Sequence, residues 1–99
     1  MFQLKFAESA EEEKNALKQD PSRKNIWAQV RKSLGYLQTN PRHPSLNTHA
    51  YDSLPHPWSP KEKVFEAYAQ NKTPGAYRIF WCYGPGKKFI TIIAITPHP

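Results

Sequence analysis

Three residues in the last third of the chain have side chains that could do acid–base and electrostatic chemistry. Arg78 is the one charge inside an apolar run, Ala76–Tyr83, and Glu66 is the one acid in the run before it. His98 follows another apolar run, Phe89–Thr96. Runs rich in β-branched and aromatic residues are typical of strands, so we expect a stiff sheet to hold all three side chains.

A guanidinium, a carboxylate and an imidazole together suit the cleavage of an RNA backbone. That reaction needs a base for the 2′-OH proton, a cation for the charge developing on the phosphate, and an acid for the leaving 5′-oxygen. Arg78 suits the phosphate role because a guanidinium is always charged and binds two oxygens at once. His98 suits acid or base work because imidazole titrates near neutral pH. Glu66, or one of Lys61 and Lys63, could serve as the base or a second cation.

A simpler interpretation of the same residues needs no chemistry. An acid among apolar residues needs a partner, and Arg78 on the following strand could simply neutralise Glu66. His98 would then belong to a frayed tail. Spacing alone does not separate the two interpretations.

Alternation along the strands predicts which side chains share a face. Arg78 is expected beside Cys82, and Glu66 beside Tyr68. The last strand is expected to place five residues on one face, so that a histidine ends a ladder of buried positions: Ile90, Ile92, Ala94, Thr96 and His98. A break at residues 84–88, rich in glycine and lysine, predicts a hairpin between the last two strands.

The charge of the chain favours a polyanionic partner. The formal net charge is +6, and residues 21–99 hold eleven Lys and Arg against three acids. Such an excess in a small domain is typical of nucleic-acid binding, although solubility alone would also account for it. Six residues are candidates for binding RNA through charge or stacking: Arg42, Lys61, Lys63, Tyr83, Lys87 and Lys88.

Composition excludes several other classes of protein. With 99 residues, the chain is expected to form a single domain, residues 1–99, with a modest core. It has no apolar run of about 18 residues and no start typical of a signal peptide. Cys82 is the single cysteine, which excludes an internal disulfide and fits a reducing cytoplasm. Three loop histidines, His43, His49 and His56, match no metal-ligand spacing, so neither metal nor cofactor is expected.

The first forty residues predict one strand and two helices. Phe2–Phe6 alternates between apolar and polar residues, as a strand with one buried face does. Ser9 and Glu12 have the spacing of a capping box, which predicts a helix from Ser9 to Gln19. Asp20 followed by Pro21 then predicts the start of a second helix, Pro21–Gln38, whose apolar stripe is expected to face the core.

The element order is therefore β-α-α-β-β-β. A proline-rich loop, Asn40–Pro60, separates the helices from the C-terminal strands, with a short strand expected near Thr48–Ser53. Two N-terminal helices should cover one face of a small antiparallel sheet in an α+β fold. The opposite face is left free for another role.

In the order and spacing of its elements and motifs, the chain resembles the RelE/ParE superfamily of bacterial toxins, in its RelE-like branch. The resemblance begins with the N-terminal strand and two helices and continues through NPRHPSLNTHAYDSL (Asn40–Leu54). It then includes the motif AYRIFW (Ala76–Trp81) and the end ITIIAITPHP (Ile90–Pro99). Each piece is short, but together they cover nearly the whole chain.

The resemblance implies a toxin of a type II toxin–antitoxin system. Such toxins are endoribonucleases that cut mRNA, typically in the ribosomal A site, and a co-encoded antitoxin neutralises them. Their strand arginine, which contacts the scissile phosphate, corresponds to Arg78, and their C-terminal general acid to His98. The glutamate base of some members would correspond to Glu66. The chain departs from many relatives at Pro99, where they carry an aromatic residue, and at Val64–Gln70, where they carry a cation.

The favoured interpretation is a metal-independent, ribosome-dependent mRNA endoribonuclease that inhibits translation in the cytoplasm. Its expected partners are an antitoxin and mRNA. One alternative is a ParE-like inhibitor of gyrase, which would use the same fold without acid–base residues. The other is a catalytically degenerate module that binds RNA or protein.

Overall fold

A five-stranded sheet in the order β1-β5-β4-β3-β2 forms the centre of the protein in a computed structural model that describes residues 1–98. The last residue, Pro99, lies outside the described residues. In chain order the strands and helices are β1 (Gln3–Phe6), α1 (Glu8–Gln19), α2 (Lys24–Thr39), β2 (His49–Ala50), β3 (Phe65–Tyr68), β4 (Tyr77–Tyr83) and β5 (Phe89–Pro97).

The α+β fold with two N-terminal helices is confirmed, but the sheet is mixed and not purely antiparallel. β1 runs parallel to β5, whereas the other three pairs are antiparallel. The short strand expected in the proline-rich loop is present as β2 and forms the outer edge of the sheet. Within residues 1–98, neither helix is long and apolar enough to cross a membrane.

The two helices begin differently from each other. The capping box predicted at Ser9 is wrong, because α1 begins at Glu8 after Ala7, which makes no side-chain cap. Before α2, by contrast, the Asp20 carboxylate accepts hydrogen bonds from Ser22 and Arg23 across a single 3-10 turn. The hydrogen bond from the Ser22 hydroxyl, followed by that from Arg23, lowers the pKa of Asp20.

The core lies between the helices and one face of the sheet. On β4, Ile79 and Trp81 point toward the helices and are fully buried. Val30 and Leu37 of α2 and Leu17 of α1 belong to the same buried cluster. The apolar stripe predicted on the second helix therefore faces the sheet, as amphipathic helices do in two-layer folds.

Cys82 lies on the other side of β4 and is also buried. Burial, followed by the negative charge of Glu62, raises the pKa of its thiol to about 11. Because the thiolate is the reactive form, the cysteine behaves as a small apolar residue at neutral pH.

A β-bulge in β5 changes which residues share a face. Phe80 pairs with Ala94, but the next residue of β4, Trp81, pairs with Ile92, so that Ile93 is an extra residue. An extra residue reverses the alternation that follows it.

The predicted single-face ladder of Ile90, Ile92, Ala94, Thr96 and His98 is therefore wrong. Of these residues, Ile90 and Ile92 face the helices, because they pair with Tyr83 and Trp81. Ala94 and Thr96 face the opposite way, because they pair with Phe80 and Arg78. The chain beyond β5 thus approaches the same sheet face as Arg78.

Helix α1 satisfies the backbone of β5 at the bulge. The pairing of β1 with β5 ends at Ile92, which leaves backbone groups of the next residues without a strand neighbour on that side. The Ser9 hydroxyl donates to the Ile93 carbonyl at 3.3 Å, and the Ile95 N–H donates to Glu13 Oε1 at 2.9 Å. These two helix residues take the place of a strand.

Replacing Glu13 with Ala should therefore destabilise the protein. The buried Ile95 N–H would lose its acceptor, and an unpaired buried donor costs about 1–3 kcal/mol. Urea denaturation measures the free energy of unfolding. Glu13→Gln, which keeps an acceptor oxygen, should retain most of the stability, and the exposed neighbour change Glu12→Ala should alter it by less than about 0.5 kcal/mol. Equal losses for Glu13→Ala and Glu12→Ala would contradict this role.

Candidate active site

A buried carboxylate lies on the sheet face turned away from the helices. Glu66 of β3 is only 2% exposed, and it pairs with His49 of β2 on one side and with Phe80 of β4 on the other. Acidic side chains are almost never this buried unless they are paired. Glu66 therefore needs partners from the strands beside it or from segments above them.

Three side chains that carry or can carry positive charge surround this carboxylate. His49 Nε2 lies 2.7 Å from Oε1 of Glu66, and His98 Nδ1 lies 3.1 Å from Oε2. Arg78 Nε lies 3.7 Å from the same Oε2. We call these four residues the Glu66 cluster: His49, Glu66, Arg78 and His98.

Arg78 is held rigidly within the cluster. It is 7% exposed, and its guanidinium lies over the ring of Tyr68, 3.7 Å from the ring centroid. Its Nη1 donates to the carbonyls of Gln70, at 2.6 Å, and Tyr77, at 3.3 Å. Within residues 1–98, its buried Nε makes no hydrogen bond, because the 3.7 Å separation from Oε2 of Glu66 is too long for one. One donor on the carboxylate side of the guanidinium thus has no partner among the described residues.

Both ring nitrogens of His49 have a partner. Nδ1 lies 2.8 Å from the carbonyl oxygen of Asn47, and Nε2 lies 2.7 Å from Oε1 of Glu66. The orientation of the ring is therefore fixed by one backbone contact and by the buried carboxylate.

His98 is fixed through its backbone, while its ring is half exposed. Its N–H donates to the Ala76 carbonyl at 2.8 Å, which continues the pairing of β5 with β4. The side chains of His98 and His49 are 49% and 46% exposed, against 3% for that of Glu66. The two imidazoles thus contact solvent on one side and the buried carboxylate on the other.

The structure brings together the three residues proposed for chemistry from the sequence, Arg78, His98 and Glu66. It adds His49, which the sequence reasoning considered only as a metal ligand. The signal that could have found it was the short strand expected near residues 48–53, because an edge strand beside Glu66 would bring its side chains to the carboxylate. Within residues 1–98, no group of three His, Cys, Asp or Glu side chains is arranged to hold a metal ion.

The candidate RNA-binding residues lie in several places. Lys61 and Lys63 are exposed in the loop before β3 and line a cleft with Trp58. Arg42 lies over the ring of Phe65, 5.9 Å from its centroid, on the side of the sheet that faces the helices.

The hairpin residues are further from the Glu66 cluster. Tyr83 packs against Phe2, Phe65 and Trp81 on the helix-facing side of the sheet. Lys87 and Lys88 are exposed in the turn between β4 and β5, at the opposite end of β4 from Arg78. The structure does not bring these three residues to the cluster.

Solved structures share this architecture over nearly the whole chain. The YoeB/ParE toxin from Agrobacterium tumefaciens matches with a TM-score of 0.69 and 9% identity, covering 100% of both chains. The archaeal RelE–RelB complex from Pyrococcus horikoshii OT3 gives a TM-score of 0.64 and 14% identity, covering 97% of this chain and 93% of that one. The intact E. coli RelBE toxin–antitoxin complex gives 0.61 and 16%, covering 100% and 99%. The chain has the RelE/ParE-like toxin fold.

At these identities the likeness is one of fold. No protein-family model matches the sequence, and a search of curated proteins finds no match. What the RelE/ParE-like scaffold contributes here is a sheet with one face packed on helices and the other carrying the Glu66 cluster.

Replacing Glu66 with Ala should cost about 3 kcal/mol of unfolding free energy. Removing one partner of a buried ion pair typically costs about 3–5 kcal/mol, and the loss should lie at the lower end because the Gln70 carbonyl still accepts from Arg78. Urea denaturation followed by tryptophan fluorescence measures the change. His98→Ala, at the half-exposed rim, should cost less than about 1 kcal/mol. A Glu66→Ala variant as stable as the wild type would show that Arg78 does not depend on this carboxylate.

Proposed function

We propose that this protein is the toxin of a type II toxin–antitoxin system and that it inhibits translation by cutting mRNA on the ribosome. The observation that carries the proposal is the Glu66 cluster, which gathers a guanidinium, a carboxylate and two imidazoles on the free sheet face of a RelE/ParE-like fold. These groups supply a base, an acid and a cation for phosphodiester cleavage without a metal ion.

Exposure favours the imidazoles as the groups that transfer protons. His49 and His98 are each about half exposed, whereas Glu66 is buried beneath them. A proton-transfer group must come within hydrogen-bond distance of the reacting oxygen. His98 contacts Glu66 through Nδ1, which leaves its other ring nitrogen for a substrate, whereas both ring nitrogens of His49 are engaged, by the Asn47 carbonyl and by Glu66. Glu66 then acts as a positioning residue that orients both rings and stabilises whichever is protonated, as a carboxylate does for a catalytic histidine.

The contacts of Glu66 with both rings suit this reaction. His98 donates a proton to the 5′-oxygen, and His49 accepts the 2′-OH proton once one of its ring nitrogens leaves its present partner. The 2′-oxygen forms a bond to phosphorus and the bond to the 5′-oxygen breaks, which gives a 2′,3′-cyclic phosphate and a 5′-hydroxyl. One carboxylate in contact with both rings can balance the charge that each ring gains or loses.

Arg78 contributes a fixed positive charge beneath the reacting phosphate. Its guanidinium is held by Tyr68 and by the carbonyl of Gln70, so it does not have to reorganise when negative charge develops. Fixed charges in a poorly solvated site stabilise such charge more strongly than they would in water.

The proposed partners are an antitoxin and ribosome-bound mRNA, both in the cytoplasm. The RelE–RelB and RelBE structures are of toxin–antitoxin complexes, and by analogy an antitoxin would neutralise this chain. A net charge of +6 favours partners that carry negative charge, such as RNA or an acidic protein segment.

His98→Ala should abolish most of the activity while the protein stays folded. Loss of a general acid or base lowers a rate by about 10²–10⁴-fold, so expression of the variant should no longer arrest growth. Cleavage of mRNA on ribosomes measures the rate, and thermal unfolding checks the fold. The matched control is His43→Ala, because the His43 ring stacks on Tyr36 at a distance from the cluster. This control variant should cut mRNA like the wild type. Unchanged cleavage by His98→Ala would contradict its role in proton transfer.

An mRNA with a single 2′-deoxy nucleotide immediately 5′ of the cut bond should resist cleavage at that bond. The proposed mechanism needs the 2′-oxygen as the attacking group, so the rate there should fall below detection while neighbouring bonds of the same transcript are still cut. Primer extension maps both. Cleavage of the deoxy-substituted bond would exclude this mechanism. Growth arrest with intact transcripts and inhibited DNA supercoiling would instead support the ParE-like alternative.

A further inference from the structure

A polar cleft of about 190 Å³ lies between α2 and the turn that joins β3 to β4. Lys32 and Tyr36 of α2 line it, and so do Ala69, Gln70 and Asn71 at the start of the turn. Eight of its nine lining residues have a hydroxyl, an amide or an ammonium group, and Ala69 is the exception. The Lys32 cleft, as we call it, is therefore rich in hydrogen-bonding groups and has no branched aliphatic side chain.

The formal charge of the Lys32 cleft is positive. Lys32 is exposed, and no Asp or Glu is among the lining residues. Within residues 1–98, no carboxylate lies within ion-pair distance of Lys32. Helix α2 has two more exposed cations, Lys24 and Arg31, and no acid. An anionic group in the cleft would thus meet positive charge that no neighbouring acid compensates.

The larger cleft beside the loop before β3, of about 640 Å³, lacks this excess of positive charge. Two acids and two lysines line it, so that their formal charges cancel: Asp52, Glu62, Lys61 and Lys63. Binding to a nucleic-acid backbone depends on cations that neutralise its phosphates. A phosphate therefore gains more from the Lys32 cleft than from the larger one.

The Lys32 cleft adjoins the Glu66 cluster through two shared residues. Tyr68, whose ring lies against the guanidinium of Arg78, lines the cleft. Gln70, whose carbonyl accepts a hydrogen bond from Arg78 Nη1, lines it as well. An RNA strand with its scissile phosphate at Arg78 would therefore reach the cleft by continuing past Tyr68.

The residue types of the cleft are those that proteins use to contact the sugars and phosphates of nucleic acids, namely Lys, Ser, Asn, Gln and Tyr. We infer that the Lys32 cleft binds the sugar–phosphate backbone of a nucleotide next to the scissile phosphate, with Lys32 in contact with that nucleotide's phosphate. The inference rests on the proposed nuclease function and gives Lys32 the role of positioning the mRNA. An acidic protein segment would meet the same charge, but it would find no apolar pocket for an anchoring side chain.

The first test removes the charge of Lys32. Cleavage of a short synthetic mRNA on ribosomes gives kcat and KM for each variant. We expect Lys32→Gln to raise KM about tenfold, as the loss of one charged hydrogen bond does, and to leave kcat unchanged because the contact lies outside the reacting atoms. Lys32→Arg, which keeps the charge, should retain the wild-type KM. The matched control is Lys24→Gln, an exposed position of the same helix outside the cleft, which should also retain it.

The second test identifies the phosphate that Lys32 contacts. Each linkage on either side of the cut bond is replaced in turn by an uncharged methylphosphonate, and KM is measured again. At one linkage the replacement should raise KM about tenfold for the wild type and for Lys24→Gln. It should leave the KM of Lys32→Gln unchanged, because the two changes remove the same contact.

The outcomes separate the inference from the proposed function. If the wild type cuts RNA but no linkage distinguishes it from Lys32→Gln, Lys32 does not bind the mRNA and the inference fails, while the nuclease function stands. Weaker antitoxin binding by Lys32→Gln with unchanged cleavage would make the cleft a protein-docking surface and would also overturn the inference. If the wild type cuts no RNA, the proposed function fails and the inference fails with it.

Discussion

The Glu66 carboxylate is the group on which the free sheet face depends. It is buried, and a buried carboxylate is tolerable only when positive charge and hydrogen bonds replace its hydration. Arg78, His49 and His98 provide that replacement from three different segments of the chain. The same contacts that make the carboxylate stable hold the two imidazoles in position, so the stability of this face and its proposed chemistry rest on the same interaction.

The β-bulge in β5 allows His98 to join the Glu66 cluster. With regular pairing throughout, the alternation that turns Ile92 toward the helices would also turn His98 toward them. The extra residue, Ile93, reverses the alternation and brings His98 to the side of Arg78. Because Glu13 and Ser9 satisfy the backbone beside the bulge, the first helix contributes to a site that it does not touch.

The sequence was sufficient for elements with strong local patterns and insufficient for contacts between distant segments. The helices and the last three strands could be predicted, because period and composition mark them. The parallel pairing of β1 with β5 joins opposite ends of the chain, and no local pattern encodes it. The bulge could not be located, because residues 92–95 are all apolar and their pattern does not show which of them is the extra residue. The short strand that holds His49 was expected, but its two residues carry no pattern that shows which strand they pair with. The sequence therefore pointed to Arg78, Glu66 and His98 but not to the fourth member of their cluster.

The four members of the Glu66 cluster differ in how deeply they are buried. Arg78 and Glu66 are buried and are held by strand pairing, by the ring of Tyr68 and by a backbone carbonyl. In the proposed reaction, their contribution is a fixed electric field. The imidazoles above them are half exposed and contact solvent. Folding the sheet has already placed these charges, so the proposed nuclease would have only to position the RNA among them.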